Sequence, residues 1–464
     1  MSKYDVAILG AGPGGYVAAV RAAQLGLTVA LVEQEHLGGV CLNWGCIPTK
    51  ALLRNAEVVS LLQRGREFGF SVSGVDVDYG AAVERSRQVS DRLVKGVGFL
   101  MRKNGVDVIE GRGTLASPKA VEIELSSGGT QTIETNDVII ATGARARTIP
   151  GIVADGQHVL TYRSAIVLRE LPESAVIIGA GPIGMEFAHV WHSYGADITV
   201  VEMLPRALPL EDEAASKEVT RAFQRRGVKI MTSTRVQRIE TTGAGVHVTV
   251  LAEDGAEDAL EAERTLIAIG VRPNTESIGL EEIGVKTERG NVVVDDHMRT
   301  NVPGVYAIGD VTGRMALAHV ATAQGIVAVE SLAGHETMPL DYEAIPRCTY
   351  CQPQVASLGI TATEATERGY EVEVGEFPFR PNGKALALGE REGFVKIVAE
   401  RTTGEILGAS LVGPEVTELL PELVLARTWE LTPEEIARTV HAHPTLSEAL
   451  MEAAHGVFGK PIHL

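Results

Sequence analysis

One pattern occurs twice in the 464 residues and leaves the chain little freedom in how it folds. Tyr4 to Glu33 reads YDVAILGAGPGGYVAAVRAAQLGLTVALVE. An apolar run turns on Gly10, Gly12 and Gly15, passes through an alanine-rich amphipathic stretch and ends in a second apolar run closed by Glu33. Ala175 to Glu202 reads AVIIGAGPIGMEFAHVWHSYGADITVVE, with Gly179, Gly181, Gly184 and Glu202 in matching places. The acid follows the first glycine at the same distance in both copies, 10 to 33 and 179 to 202. Strand, helix and strand in that register is a nucleotide-binding unit. The first glycine makes the tight strand-to-helix turn, the second admits a pyrophosphate to the backbone, and the third lets helix and strand pack closely. The pyrophosphate then meets the free N–H groups and positive dipole end of the helix. The acid is placed to accept from ribose hydroxyls.

Two such units imply two bound dinucleotides, and electron transfer between them is the natural reason to bind both. Glu202 favours NAD over NADP in the second unit, because a carboxylate repels a 2′-phosphate. Arg206, four residues on, weakens that preference only modestly.

The rest of the chain organises around these anchors. AVEIEL followed by SSGG and TQTIET reads as a hairpin, and VIIATGA, Val138 to Ala144, as a buried strand closing the first unit. HVTVLAEDGAED and TLIAIGVRPN repeat that order in the second. NVPGVYAIGDVTG supplies a further short strand, and ALAHVATAQGIVAVESLAG reads as helical. From about Tyr342 the texture changes to hairpins such as FVKIVAERTTGEILGASLVG, with two helices. The expectation is an α/β protein: two Rossmann-like three-layer domains and an α+β C-terminal domain. The boundaries are residues 1–145, 146–272, 273–341 (completing the first domain) and 342–464.

A net charge of −18 argues against nucleic acid or an anionic membrane as partner. No apolar run approaches the ~18 residues of a membrane span, and the N-terminal MSKYDVAILGAGPGG is not a signal or transit peptide. Four cysteines are too few for a disulfide framework, which points to a reducing cytoplasm.

Two of those cysteines, Cys41 and Cys46, stand in GGVCLNWGCIPTK just after the first unit. A helix beginning there brings such positions within disulfide reach and lowers a thiol's pKa through its dipole. Lys50, one turn on, adds positive charge. From the residues alone the pair is either redox-active or two buried, inert thiols. Cys348 and Cys351 form a C-x-x-C without a glycine turn beside it or a second Cys/His pair to complete a metal site; they are expected to be non-catalytic.

Taken together, the glycine units, the cysteine segment, the AIGD segment and the C-terminal texture make the chain resemble the flavoprotein disulfide reductases over essentially its whole length. HAHPTLSE, His441 to Glu448, places the resemblance among the lipoamide-oxidising members.

The resemblance implies FAD held by Gly10, Gly12, Gly14, Gly15 and Glu33, with Lys50, Gly113, Thr142, Gly143, Asp310 and Ala318 along its remainder. It implies NAD held by Gly179, Gly181, Gly184 and Glu202 with Val236 and Gly270. Cys41 is then the thiol that exchanges with substrate and Cys46 the thiol against the flavin. Lys50 pairs with Glu186 at the reactive edge. His443, oriented by Glu448, is the acid/base acting on the opposite subunit's cysteines, which requires a homodimer; His441 stays structural.

The implied activity is oxidation of protein-bound dihydrolipoamide with reduction of NAD. Its implied partners are lipoyl domains and the acyltransferase core of a 2-oxo acid dehydrogenase complex. The competing readings are a mercuric or glutathione reductase-like enzyme and a docking subunit with an inert disulfide. The C-terminal HGVFGKPIHL lacks the extra cysteine pair that soft-metal delivery would use.

Overall fold

The computed structural model describes residues 3–464, so Met1 and Ser2 of the N-terminal stretch lie outside it. The strand Lys3–Leu9 runs parallel to Val29–Glu33 on one side and to Thr130–Ile140 on the other. Val6, Ala7 and Ile8 are fully buried, as an unbroken apolar run requires when helices cover both faces of a parallel sheet. Asp107–Ser117 extends the parallel array beyond Val29–Glu33 and then turns antiparallel to Ala120–Leu125, the start of the expected hairpin. Val305–Ala307 completes the six-stranded sheet from the far side of the second unit, parallel to Thr130–Ile140.

The second unit repeats this plan. Ser174–Ile178 is flanked in parallel by Asp197–Val201 and Arg264–Ile267, with Lys229–Met231 and Val159–Thr161 at the edges. Thr234–Thr241, Val246–Ala252 and Glu257–Ala262 form the antiparallel meander beside it. In both units ligands meet the carboxyl ends of the parallel strands, where the glycine turns lie.

The third sheet is antiparallel, built around Phe394–Glu400 and Ile406–Gly413. Two helices were expected in this part. The chain forms the longer pair Val416–Thr428 and Glu448–Val457 and three short ones, Ala362–Glu367, Gly383–Leu388 and Pro433–Arg438. The additional ones are six residues each and start on side-chain caps, Thr361, Asn382 and Thr432, rather than on any apolar periodicity.

Two long helices join the units, the expected one at the cysteine segment and a second that the pattern did not announce. Cys46–Gln63 and Tyr79–Lys103 send Leu52, Leu53, Ala56, Tyr79, Ala82 and Val83 into the core of the second sheet, against Phe187 and Trp191. Trp191 Nε1 donates to the Tyr79 hydroxyl at 2.9 Å inside that core. The cysteine-bearing helix is thereby fixed between the nucleotide units. Among the described residues no helix is long and apolar enough to cross a membrane.

Candidate functional site

The two glycine turns agree in detail. Gly10 and Gly179 take positive φ, 103° and 105°. A Cβ on either would fall 2.4 or 2.5 Å from a backbone carbonyl oxygen, Ala141 O or Ala268 O, so only glycine fits. A Cβ on Gly15 or Gly184 would stand 1.9 Å from the carbonyl oxygen of the first glycine of its own turn, which is how closely each helix is seated on its strand. Gly12 and Gly181 are different. Both sit in extended backbone at the helix N-cap, and a Cβ on either would meet nothing within 4 Å. That open space at a helix N-terminus is the shape a pyrophosphate needs, so both turns fit a dinucleotide.

The acids do more than the sequence suggests. Glu33 accepts from the N–H groups of Ala11 (2.7 Å) and Glu35 (2.8 Å). Glu202 accepts from those of Ala180 (2.8 Å) and Leu204 (2.9 Å). Each carboxylate thus staples its glycine loop to the following strand while keeping lone pairs for ribose hydroxyls. Gly14 lies against the helix Ala318–Leu332, where its Cβ would approach Ala321 O at 3.0 Å.

The cysteine segment rests on the first turn. Gly38 N–H donates to Ala11 O at 2.8 Å, and Gly39 comes so near that its Cβ would lie 2.7 Å from Gly12 Cα. Cys41 occupies the short helix Gly39–Asn43, and Cys46 opens the next, Cys46–Gln63, as the helix-start reading requires. Their thiols interact. Hydrogen bonding from Cys41 holds the Cys46 thiol below its usual range although burial opposes it, and the Lys50 charge adds to the lowering. The same bond, reinforced by burial, pushes the Cys41 thiol well up. Of the two, Cys46 is thus the more readily ionised thiol. Tyr16, which the sequence reading passed over, is half-buried and close enough to Cys41 for the two to interact electrostatically.

Lys50 Nζ lies 2.9 Å from both carboxylate oxygens of Glu186, bridging 136 positions of sequence. Glu186 is buried on the second glycine helix, Pro182–Ser193, so this ion pair ties the cysteine helix to the second nucleotide unit. A third element reaches the pair, since Tyr350 N–H donates to Glu186 Oε1 at 3.0 Å.

The remaining positions expected along FAD come from several elements. Asp310 follows the strand Val305–Ala307, and burial alone pushes its carboxyl up to about 6, the condition of a group waiting for a polar partner such as a ribitol hydroxyl. Gly309 N–H donates to Gln324 Oε1 at 2.6 Å, which ties the Asp310 turn to the helix that Ala318 opens. Thr142 spends its hydroxyl on Asn274 O at 2.7 Å, and Asn274 in turn donates to Thr142 O and Gly143 O, both at 2.9 Å, which braces the loop around Gly143. Gly113 has a packing reason of its own, because a Cβ there would lie 2.7 Å from Leu9 Cδ2. In the second unit Gly270 follows the Ala268 carbonyl that contacts Gly179, and Val236 lies two residues beyond Thr234, whose N–H donates to Glu202 O at 2.9 Å.

His443 stands apart from the cysteines. Its Nδ1 is 2.9 Å from Glu448 Oε1, and Glu448 Oε2 accepts from Thr445 N–H at 2.8 Å. Its side chain is 77% exposed on the chain taken alone, and among the described residues no hydrogen bond links it to Cys41 or Cys46. His441 instead is enclosed between Thr439 O and Glu422, both at 2.9 Å. Cys348 and Cys351 pack into different cores, and burial pushes their thiols up to about 11 and about 12. Among the described residues no group of three or more His, Cys, Asp or Glu side chains is arranged to hold a metal ion.

Comparison with known proteins places this geometry. The pattern described as pyridine nucleotide-disulphide oxidoreductase matches residues 4–325, and that family's dimerisation domain matches 345–454. The chain is 53% identical to a dihydrolipoyl dehydrogenase of Mycobacterium tuberculosis, over 100% of both chains. It is 46% identical to one of Zymomonas mobilis, over 99% of both. The crystal structure of LpdA from M. tuberculosis superposes with a TM-score of 0.91 at 30% identity, covering 98% of this chain and 99% of the other. A Cu(II) complex of the HOCl-induced flavoprotein disulfide reductase RclA from Escherichia coli gives 0.88 at 27%, with the same coverage.

Proposed function

The chain belongs to the pyridine nucleotide-disulphide oxidoreductase family, and from that membership we propose that it oxidises protein-bound dihydrolipoamide to lipoamide while reducing NAD. It is an FAD-dependent enzyme and forms a homodimer through its C-terminal domain. The observation that carries the site assignment is the cysteine pair of opposed acidity seated on the first glycine turn beside Lys50–Glu186.

The residues divide the work as follows. In the oxidised enzyme Cys41 and Cys46 form a disulfide. The exposed His443 of one subunit takes a proton from one substrate thiol, with Glu448 holding its Nδ1 side and favouring the imidazolium that results. The substrate thiolate attacks Cys41 Sγ, the Sγ–Sγ bond breaks, and Cys46 leaves as thiolate. The lowered pKa of Cys46 makes it the better leaving group of the two. The second substrate thiol, deprotonated in turn, attacks the mixed disulfide. The lipoyl ring closes, and Cys41 departs and takes a proton, in keeping with its raised pKa. One disulfide has been reduced and one dithiol oxidised. FAD, when bound, accepts the electron pair from the reduced cysteines, and NAD carries it away as hydride. Lys50 keeps a positive charge where the flavin's reactive edge is expected.

Gly10, Gly12, Gly14, Gly15 and Glu33, with Gly113, Thr142, Gly143, Asp310 and Ala318, hold FAD in this reading. Gly179, Gly181, Gly184, Glu202, Val236 and Gly270 hold NAD. In this reading, carried over from the family, His443 acts on the cysteine pair of the opposite subunit, which makes the dimer obligatory. The enzyme works in the cytoplasm on lipoyl domains, attached to the acyltransferase core of a 2-oxo acid dehydrogenase complex.

The test is NAD reduction by the purified FAD-loaded dimer supplied with dihydrolipoamide. Rapid reduction that Cys46→Ser abolishes supports the assignment. No reduction by a protein that retains FAD overturns it.

A further inference from the structure

A lysine side chain carries about 2 kcal/mol of rotamer entropy, so an ammonium held at one point needs more than one restraint. Lys50 is also more than a third exposed as a side chain, whereas its partner Glu186 is 6% exposed. The carboxylate therefore sits rigidly in the second unit, and the lysine must be brought to it. Tyr350 touches both members of the pair. Its N–H donates to Glu186 Oε1 at 3.0 Å, and its ring lies under Lys50 Nζ at 4.5 Å from the centroid. That distance is inside the ~6 Å range of a cation–π contact. The turn carrying Tyr350 is itself pinned from the far side, where the half-buried Arg226 donates to Gln352 O. Arg226 has a second contact with His189, which stands one helical turn beyond Glu186 on the same helix.

From this geometry we propose that Tyr350 is a positioning residue for Lys50: its ring face holds the ammonium against Glu186 and so keeps that charge aimed at Cys46 and the flavin edge. The inference rests on the reading that Lys50 acts at the cysteine–flavin site. Any residue at position 350 other than proline retains the N–H bond to Glu186, so side-chain substitution there isolates the ring. Because the ring presents its face and not its hydroxyl to Lys50, phenylalanine serves as well as tyrosine.

The test uses the FAD-loaded dimer, reduced with excess dithiothreitol, and reads the rate at which iodoacetamide alkylates Cys46 at pH 7, mapped by mass spectrometry. Only the thiolate reacts, so the rate reports the charge that Lys50 supplies. Tyr350→Leu is expected to slow alkylation by about threefold to tenfold, the scale of a partly desolvated cation–π contact. Tyr350→Phe stays within about twofold of the parent on the same scale. Should the leucine variant fail to fold, phenylalanines of increasing fluorination at position 350 keep the shape while draining the ring face, and the rate falls stepwise.

Lys50→Met is the reference. A slowed Lys50→Met with an unchanged Tyr350→Leu, or no trend across the fluorinated series, overturns the role of Tyr350. An unchanged Lys50→Met overturns the reading of Lys50 on which the role rests.

Discussion

The contrast between Gly181 and Gly184 can be turned into a pair of single-methyl perturbations with opposite consequences. On Gly184 the added methyl would lie 1.9 Å from Gly179 O, about 1.1 Å inside the 3.0 Å limit that real Cβ contacts respect. The obstacle is backbone, so the helix Pro182–Ser193 has to lift from the strand Ser174–Ile178 by about that distance. Overpacking of this kind costs about 1–3 kcal/mol, and the better helix propensity of alanine returns at most about 1 kcal/mol. For a unit of this size the melting temperature falls by about 2–4 °C for each net kcal/mol.

On Gly181 the methyl meets no protein atom within 4 Å, in extended backbone that any residue adopts. Gly181→Ala should leave melting unchanged or raise it slightly, because alanine has fewer unfolded states to lose. Its effect falls on NAD. Losing one charge-assisted hydrogen bond to the pyrophosphate is worth about 1.5–3 kcal/mol, a tenfold to hundredfold weaker Kd. Calorimetric titration of the FAD-loaded dimer with NAD, beside thermal unfolding by circular dichroism, measures both. A Gly181→Ala protein that binds NAD as tightly as the parent would refute the assignment of that space to a pyrophosphate.

Three further outcomes follow from the same geometry. Asp310 carries a carboxyl raised from its ordinary 3.8 to about 6 by burial, so in FAD-free protein its contribution to stability is present below pH 4 and lost as pH rises through 6. Asp310→Asn should abolish that slope and leave FAD-free protein about 3 kcal/mol more stable at pH 7, read by urea unfolding; an unchanged slope refutes the burial argument. Glu448→Gln removes the negative charge facing His443 Nδ1 and should lower turnover about a hundredfold with FAD content intact. Turnover within twofold of the parent would mean that His443 needs no carboxylate. Cys348 and Cys351, with thiols pushed up to about 11 and about 12, should resist iodoacetamide at pH 8 in the native enzyme. Rapid labelling of either, seen by mass spectrometry, would reopen the C-x-x-C as a reactive pair.

What could be read from the residues was whatever is local. The glycine turns declare themselves because each glycine answers a steric demand within a few residues, and the hairpins because alternation and turn residues are adjacent. The partnership of Lys50 with Glu186 spans 136 positions, and that of Glu186 with Tyr350 spans 164. No spacing rule reaches that far, and the first of these was expected only through resemblance. Tyr350 was hidden for a second reason: its neighbours Cys348 and Cys351 carry the more conspicuous chemistry, yet the structure buries them in separate cores. The helix Tyr79–Lys103 escaped because charged residues interrupt its apolar face, and its clearest local signal is the Asp78 carboxylate accepting from Ala81 N–H at 2.9 Å. His443 could be named only through resemblance, and within its own chain it meets Glu448 and neither Cys41 nor Cys46.

The carbonyl after each first glycine receives an N–H from the segment that follows the acid: Gly38 donates to Ala11 O and Leu208 to Ala180 O, both at 2.8 Å. The two copies therefore share a peg as well as a cradle. From one peg hangs the cysteine segment, and from the other a stretch without cysteine that leads into the helix Glu213–Arg225. The molecule thus contains its own control experiment. Where the copies agree, they define what holding a dinucleotide demands; what hangs from the peg is free to differ, and in the first copy it is the redox chemistry itself.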